Sequence, residues 1–356
     1  MKYPMSFRKY YCPLFAMLLF GFLGMLTPSE SWAQPLTSDQ GLIDPTDTVF
    51  LHGYIHQDTT LQSGKLYVIL HNVKINPEAT LTIPANTKLL FAPKTSLVVE
   101  GGLKISGNPN GLINVSSLNE ADQGVGIIVR GTEGDDIDIS YARFSRLLIP
   151  LELEVGWYRE KINIADNIFR DLATGEPNIL ISSPDYIRAF EEKPTSTLDF
   201  LRNSFFNNWG SIFVESFEDD RVQIDMSNNL LTNNVVYGID KGVPSNTPLF
   251  GVFDGMEKQF QTNISENSLF GNYQINSATD SIIREISLGV QGEGDEFNLP
   301  NNFYRSKDIA YISSTFDHFY TNSGLPLHKV RDMTLATSQL MNANNVLQLF
   351  QSCFYH

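Results

Sequence analysis

A block recurs along this chain: apolar residues two apart, a short polar step, Asn, then a bulky apolar residue. It reads Ile162-Asn-Ile-Ala-Asp-Asn167-Ile-Phe169, Leu198-Asp-Phe-Leu-Arg-Asn203-Ser-Phe-Phe206-Asn207, Ile224-Asp-Met-Ser-Asn-Asn229-Leu-Leu231-Thr-Asn233 and Thr262-Asn-Ile-Ser-Glu-Asn267-Ser-Leu-Phe270-Gly-Asn272, with a degenerate copy at Phe297-Asn-Leu-Pro-Asn-Asn302-Phe-Tyr304. The marked Asn residues are 36, 26, 38 and 35 positions apart. Periods of that size are those of stacked units along one axis. Apolar residues two apart, as in Ile162/Ile164, Leu198/Phe200 and Ile224/Met226, are the signature of a strand with one buried face. Asn suits a sharp corner because it tolerates left-handed backbone angles, and identical amides can stack from coil to coil. Asn167, Asn203, Asn229 and Asn267 are therefore expected at stacked corners, as structural residues rather than ligand-binding ones.

The segment before these blocks follows the same strand logic. Apolar doublets at period two run from Val73/Ile75 through Leu81/Ile83, Leu89/Phe91, Leu97/Val99, Leu103/Ile105, Ile113/Val115 and Ile127/Val129 to Ile137/Ile139. Turn formers such as Asn76-Pro77, Pro84-Ala-Asn86, Gly101-Gly102 and Asn108-Pro-Asn-Gly111 separate them. Proline at such short intervals excludes long helices. The predicted fold is all-β: a right-handed parallel β-helix over residues 50–315, with no second domain.

Val73-Lys-Ile-Asn-Pro-Glu-Ala-Thr-Leu-Thr-Ile-Pro-Ala-Asn-Thr-Lys-Leu-Leu-Phe91, followed by Ser96-Leu-Val-Val-Glu-Gly-Gly-Leu-Lys-Ile-Ser-Gly107, resembles the opening coils of secreted bacterial β-helix proteins of the pectin-lyase-like superfamily fold. The chain departs from that pattern at Asn76-Pro77-Glu78 and at Ala85-Asn86, where Pro-Gly is usual. The likeness is at the level of the repeat and carries no catalytic signature.

The first 33 residues have the form of a signal peptide: Lys2, Arg8 and Lys9, the apolar run Leu14–Leu26, then Ser31-Trp-Ala33. The expected mature chain begins at Gln34 with a linker over 34–49 and has no membrane span, since 13 apolar residues are too few to cross a bilayer. Cys12 precedes the apolar run, so no lipid anchor is expected on it; only Cys353 survives processing, which leaves no intramolecular disulfide. The formal charge of −15 becomes −17 once Lys2, Arg8, Lys9 and Glu30 are removed. A chain that acidic is not expected to bind nucleic acid or an anionic membrane. Residues 316–356 change character: the apolar spacing of Leu335–Phe350 suits an amphipathic helix, so this stretch is expected as a C-terminal cap or a tail.

Candidate chemistry is sparse. Asp136 and Asp138 share one strand face and are the candidates for Ca²⁺, with Arg143 and Arg146 near in sequence; a solvated polar face is the simpler reading. No other cofactor is expected. Glu152 and Glu154 also share a strand face, and Trp157, Tyr158, Arg159 and Lys161 after them are candidate carbohydrate contacts, since ring faces stack on sugars. Glu215, Glu218, Asp219 and Asp220 with Arg221 form a third cluster, read as a solvated loop. His52 and His56 have helical ligand spacing in a stretch with strand character, which argues against zinc. The function expected from all this is an exported, secreted, periplasmic or cell-surface binding or structural module without catalysis, its partner a polysaccharide or cell-surface component. The alternative is a polysaccharide lyase or glycoside hydrolase on the same fold.

Overall fold

The computed structural model describes residues 48–130, 136–154, 161–172, 177–182, 196–210, 213–217, 222–237, 239–240, 243–244, 250–254, 261–277, 280–283, 286–290, 296–298, 301–304, 316–318 and 329–332. Among them every regular element is a strand, and no helix is long and apolar enough to cross a membrane. The expected signal peptide over 1–33, the expected linker over 34–49 as far as residue 47, and the stretch 335–350 expected as an amphipathic helix lie outside the described residues.

In the two large sheets successive strands do not pair with each other. Each pairs, parallel and in register, with the strand about three elements away, which is the pattern of coils stacked rung on rung. Three faces result. The first is a ten-stranded sheet from Thr59–Thr60 to Lys329–Asp332. The second carries short strands such as Ala142–Ser145, Ile168–Arg170 and Ser204–Phe206. The third carries Ser96–Val99, Gly126–Val129, Leu151–Glu154 and Ile179–Ser182. The last two faces count as one 18-stranded sheet because Leu66–Ile75 is long enough to pair with Lys88–Phe91 on the second and with Ser96–Val99 on the third. This architecture of stacked parallel strands is compatible with a parallel β-helix. Two small sheets interrupt the pattern: Val235–Tyr237 with Tyr273–Ser277 and Asp280–Ile283, and the pair Ile239–Asp240 and Val243–Pro244.

The period-two alternation decides what faces inward. On the first face Ile83, Ile105, Ile139, Ile164, Phe200, Met226 and Ile264 stand in one register column and all are buried. On the second face the column is Leu89, Val115, Phe144, Phe169, Phe205, Leu231 and Leu269. Its three phenylalanine rings stack nearly parallel, with centroids 4.9 Å apart for Phe144–Phe169 and 4.7 Å for Phe169–Phe205. That spacing is the rung repeat of a β-sheet itself. Each such side chain contributes about 1.5–3 kcal/mol by leaving water.

The corners differ from expectation in one respect. The residue with left-handed backbone is not the recurring Asn of each block but its predecessor: Asp166 (φ 60°), Arg202 (58°), Asn228 (59°), Glu266 (56°) and Asn301 (56°). The Asn that follows turns its amide into the corner, where it is fully buried. In Asn203, Asn229 and Asn267 the backbone N–H and Nδ2 donate to Oδ1 of the Asn one rung on, and Nδ2 also donates to a main-chain carbonyl one rung back. Asn167 does the same and starts the series, its own Oδ1 taking the Ala142 N–H at 2.8 Å. The left-handed residues of successive corners pair as well, the partly exposed Arg202 guanidinium holding both oxygens of the buried Asp166 at 2.9 and 2.7 Å. That hydrogen bond pushes the Arg202 pKa above its already high ordinary value.

A second ladder runs along the next corner. Asn207 (φ 54°), Asn233 (55°) and Gly271 (71°) are left-handed there, and Asn208, Asn234 and Asn272 behind them carry amide bonds of 2.9–3.3 Å along the same lines. Close approach elsewhere requires glycine. A Cβ on Gly101 would lie 2.1 Å from the carbonyl oxygens of both Ala79 and Asn76. Gly101→Ala is expected to lower stability by about 2 kcal/mol through backbone displacement; urea denaturation showing a change below a few tenths would contradict this packing.

Candidate functional site

The outer surface of the first face carries a regular array. In register there stand Thr82, Lys104, Asp138, Asn163, Asp199, Asp225, Asn263 and Asn298, one per rung. From Thr82 to Asn263 they alternate with the buried Ile, Leu, Phe and Met of the core, which fixes their direction outward. From Asp138 to Asn263 each side chain is half-buried by its neighbours above and below. Donors from adjacent rungs meet the carboxylates: Asn163 Nδ2 donates to Asp138 Oδ1 at 3.0 Å, and Asn263 Nδ2 to Asp225 Oδ1 at 3.2 Å. Lys161 Nζ lies 3.6 Å from Asp199 Oδ2. The result is a straight row of short acceptors and donors spaced by the sheet repeat of about 4.8 Å.

The residues singled out from sequence fall in different places. Asp136 is exposed at the start of the strand Ile137–Ser140, and Asp138 has one oxygen engaged by Asn163. Among the described residues no group of three or more His, Cys, Asp and Glu gathers as metal ligands. Arg143 and Arg146 do not join Asp138. Arg143 belongs to the second face, in register with Asn114 and Ile168, and Arg146 is a left-handed corner residue paired with Glu120. Lys161 opens the strand Lys161–Ala165, while Trp157, Tyr158 and Arg159 lie outside the described residues. Glu215 lies in the strand Phe213–Phe217 of the third face; Glu218, Asp219, Asp220 and Arg221 lie outside the described residues. His56 and His52 do not form a pair: the His56 ring stacks on Tyr54 and meets Asn76 Nδ2 at 2.7 Å, and His52 is exposed.

A second cluster lies on the outer side of the third face. Leu153 pairs with Val129, so Arg130 from the rung before comes opposite Glu154. Its Nη1 is bonded to Glu154 and lies 3.7 Å from Glu152 Oε1. Burial raises the Glu152 carboxyl above the ordinary 4.5, Arg130 opposes this, and Glu154 adds to it. A carboxyl with a raised folded-state pKa is destabilising when ionised. The penalty is present above the folded pKa and fades as pH falls toward 4.5, where the unfolded chain also takes up its proton. Glu152→Gln is therefore expected to raise the melting temperature slightly at pH 7 and to lose that advantage near pH 4; a lower melting temperature at pH 7 would contradict it.

The outer side of the second face holds what sequence reasoning missed. Ile168, Ser204, Leu230 and Ser268 alternate with the core column, and so point away from it, yet they are fully buried. Beside them Arg170 is buried too, its Nε bonded to Asp171 at 2.5 Å and its guanidinium 5.3 Å from the centre of the Phe206 ring. The sequence signal was present: Ile168 and Leu230 are apolar at positions that alternation assigns to solvent.

Comparison with protein-family models, with curated proteins and with solved structures finds no match.

Proposed function

We propose that this chain is an exported, non-catalytic, right-handed parallel β-helix whose first face binds an extended, uncharged polysaccharide along its outer surface. The observation that supports the reading is the in-register row from Asp138 to Asn263. Amides donate to and accept from sugar hydroxyls, and carboxylates accept from them, so the row offers both kinds of partner. A row that repeats along the solenoid axis favours a ligand that also repeats, and half-burial holds the side chains in place before binding, which reduces the entropy lost. A formal charge of −15 opposes an anionic polymer. The right-handed coil is the hand that parallel crossovers take almost without exception, and the resemblance to pectin-lyase-like coils agrees with it. The apolar run and small-residue site at the N-terminus support export.

A glycoside hydrolase or lyase is the second reading, favoured by the raised Glu152 carboxyl beside Glu154 and Arg130. Against it, Arg130 binds both acids and leaves neither a free base. Affinity electrophoresis against neutral and acidic polysaccharides separates the two. The expected result is retardation by a neutral polymer, weakened at least tenfold in the Asn163→Ala/Asp199→Ala/Asp225→Ala variant, with no new reducing ends or unsaturated products. Turnover that disappears in Glu152→Gln would establish the hydrolase or lyase instead.

A further inference from the structure

A fold that places asparagine at its corners is open to one reaction that needs no enzyme. The backbone nitrogen of the residue after an Asn attacks the side-chain carbonyl carbon, fastest where that residue is small and both groups are free to meet. Asn203 and Asn267 each precede a serine, and Asn110–Gly111 is the chain's single Asn-Gly step. At Asn203 and Asn267 the ladder holds the reacting groups apart. Both residues are buried, and their Nδ2 groups donate to Ile164 O and Met226 O at 2.8 Å and to the Asn one rung on. The nitrogens that would attack, Ser204 N and Ser268 N, donate to Asn167 O and Asn229 O at 2.8 Å. Neither amide can swing toward its neighbour without leaving buried groups unpaired.

Asn110 differs at each point. It is exposed, in the turn Asn108–Gly111 between the strands Gly102–Ser106 and Ile113–Ser117, and no hydrogen bond among the described residues holds its side chain. Gly111 N donates to Asn108 O at 3.0 Å, and a surface turn opens locally at far lower cost than a buried rung. Glycine leaves that nitrogen unshielded, and its place is fixed by packing: a Cβ on residue 111 would stand 2.9 Å from Asn86 Oδ1.

We propose that Asn110 is a site of spontaneous modification, converted through a cyclic imide to aspartate and isoaspartate while the ladder asparagines persist. Gly111 N bonds to Asn110 Cγ, the Cγ–Nδ2 bond breaks, and Nδ2 leaves as ammonia with the proton of the Gly111 N–H. Water then opens the ring. Attack at Cγ gives aspartate; attack at the main-chain carbonyl gives isoaspartate, whose backbone runs through the side chain. Either product adds a negative charge to the turn, and isoaspartate also lengthens the bridge between Asn108 and Gly111. The rungs keep their own bonds, so the coil stays folded. The inference is independent of any ligand on the first face.

Peptide mapping by mass spectrometry of the purified chain, aged at mildly alkaline pH, is the test. The expected result is an amide-to-acid mass change at Asn110, with both isomers present, while Asn203 and Asn267 stay intact and the strand circular dichroism is unchanged. In urea Asn203 and Asn267 should convert as well, since the ladder alone protects them. Gly111→Ala should slow conversion of the folded chain about tenfold by shielding the attacking nitrogen. If that variant loses its strand signal, the wild-type product decides instead, because isoaspartate arises only through the ring. An unchanged Asn110, aspartate without its isomer, a rate that a folded Gly111→Ala leaves unaltered, or conversion of Asn203 or Asn267 as fast as Asn110 in the folded chain would each overturn the proposal.

Discussion

Asn229→Ala is expected to lower the free energy of unfolding by roughly 3–5 kcal/mol, because several buried groups lose their partners at once. In the native coil Asn229 Oδ1 accepts both the backbone N–H and Nδ2 of Asn203, and Asn229 Nδ2 donates to Phe200 O and to Asn267 Oδ1. Every one of those groups belongs to a corner that water does not reach, so truncation leaves orphans rather than exchanging protein bonds for water bonds. Each orphan costs about 1–3 kcal/mol. Guanidinium denaturation measures the loss, and a change under about 1 kcal/mol would mean that the corner admits water. Asn229→Asp sharpens the test. It keeps the acceptor, loses both donors and sets a carboxylate against Phe200 O and Asn267 Oδ1. Its pKa must then rise on folding, so the variant should be least stable at neutral pH and recover as pH falls.

Phe169→Ala is expected to cost about 3–5 kcal/mol, the usual range for emptying a buried aromatic position. The ring lies between Phe144 and Phe205, tilted only 7° and 9° from them, so its removal opens a cavity bounded by two flat faces that cannot collapse sideways. Phe169→Leu should cost only about 1 kcal/mol, because leucine fills the same column two and three rungs further on, at Leu231 and Leu269. Equal losses for the two variants, by thermal or chemical denaturation, would show that ring stacking matters more here than volume.

Alternation alone made much of the fold legible. The pairs Ile162/Ile164, Leu198/Phe200 and Ile224/Met226 were assigned inward from local spacing, and all six are buried. Strand periodicity is a property of neighbouring residues, so it survives any uncertainty about what pairs with what. The outer row was less legible. Asp138 and Asn163 are each visible as polar residues between two isoleucines, but their contact spans 25 positions of chain. Nothing local announces it, because the loops between rungs vary and the ladder spacing ranges from 26 to 38 residues. Arg130 escaped notice beside Glu152 and Glu154 for the same reason.

The all-β class, the stacking of rungs and the columns of the core were determined by the sequence itself, through a period of two and a repeat that needs no knowledge of long-range contacts. Tertiary structure decided which residue of each Asn doublet turns the chain. Asn207-Asn208, Asn228-Asn229, Asn233-Asn234 and Asn301-Asn302 are chemically symmetrical, and either member tolerates the left-handed region. Only the rungs before and after break the tie. They offer main-chain carbonyls and amides to a side chain that points inward, and a slip of one residue would turn that side chain out to solvent and leave those groups unpaired.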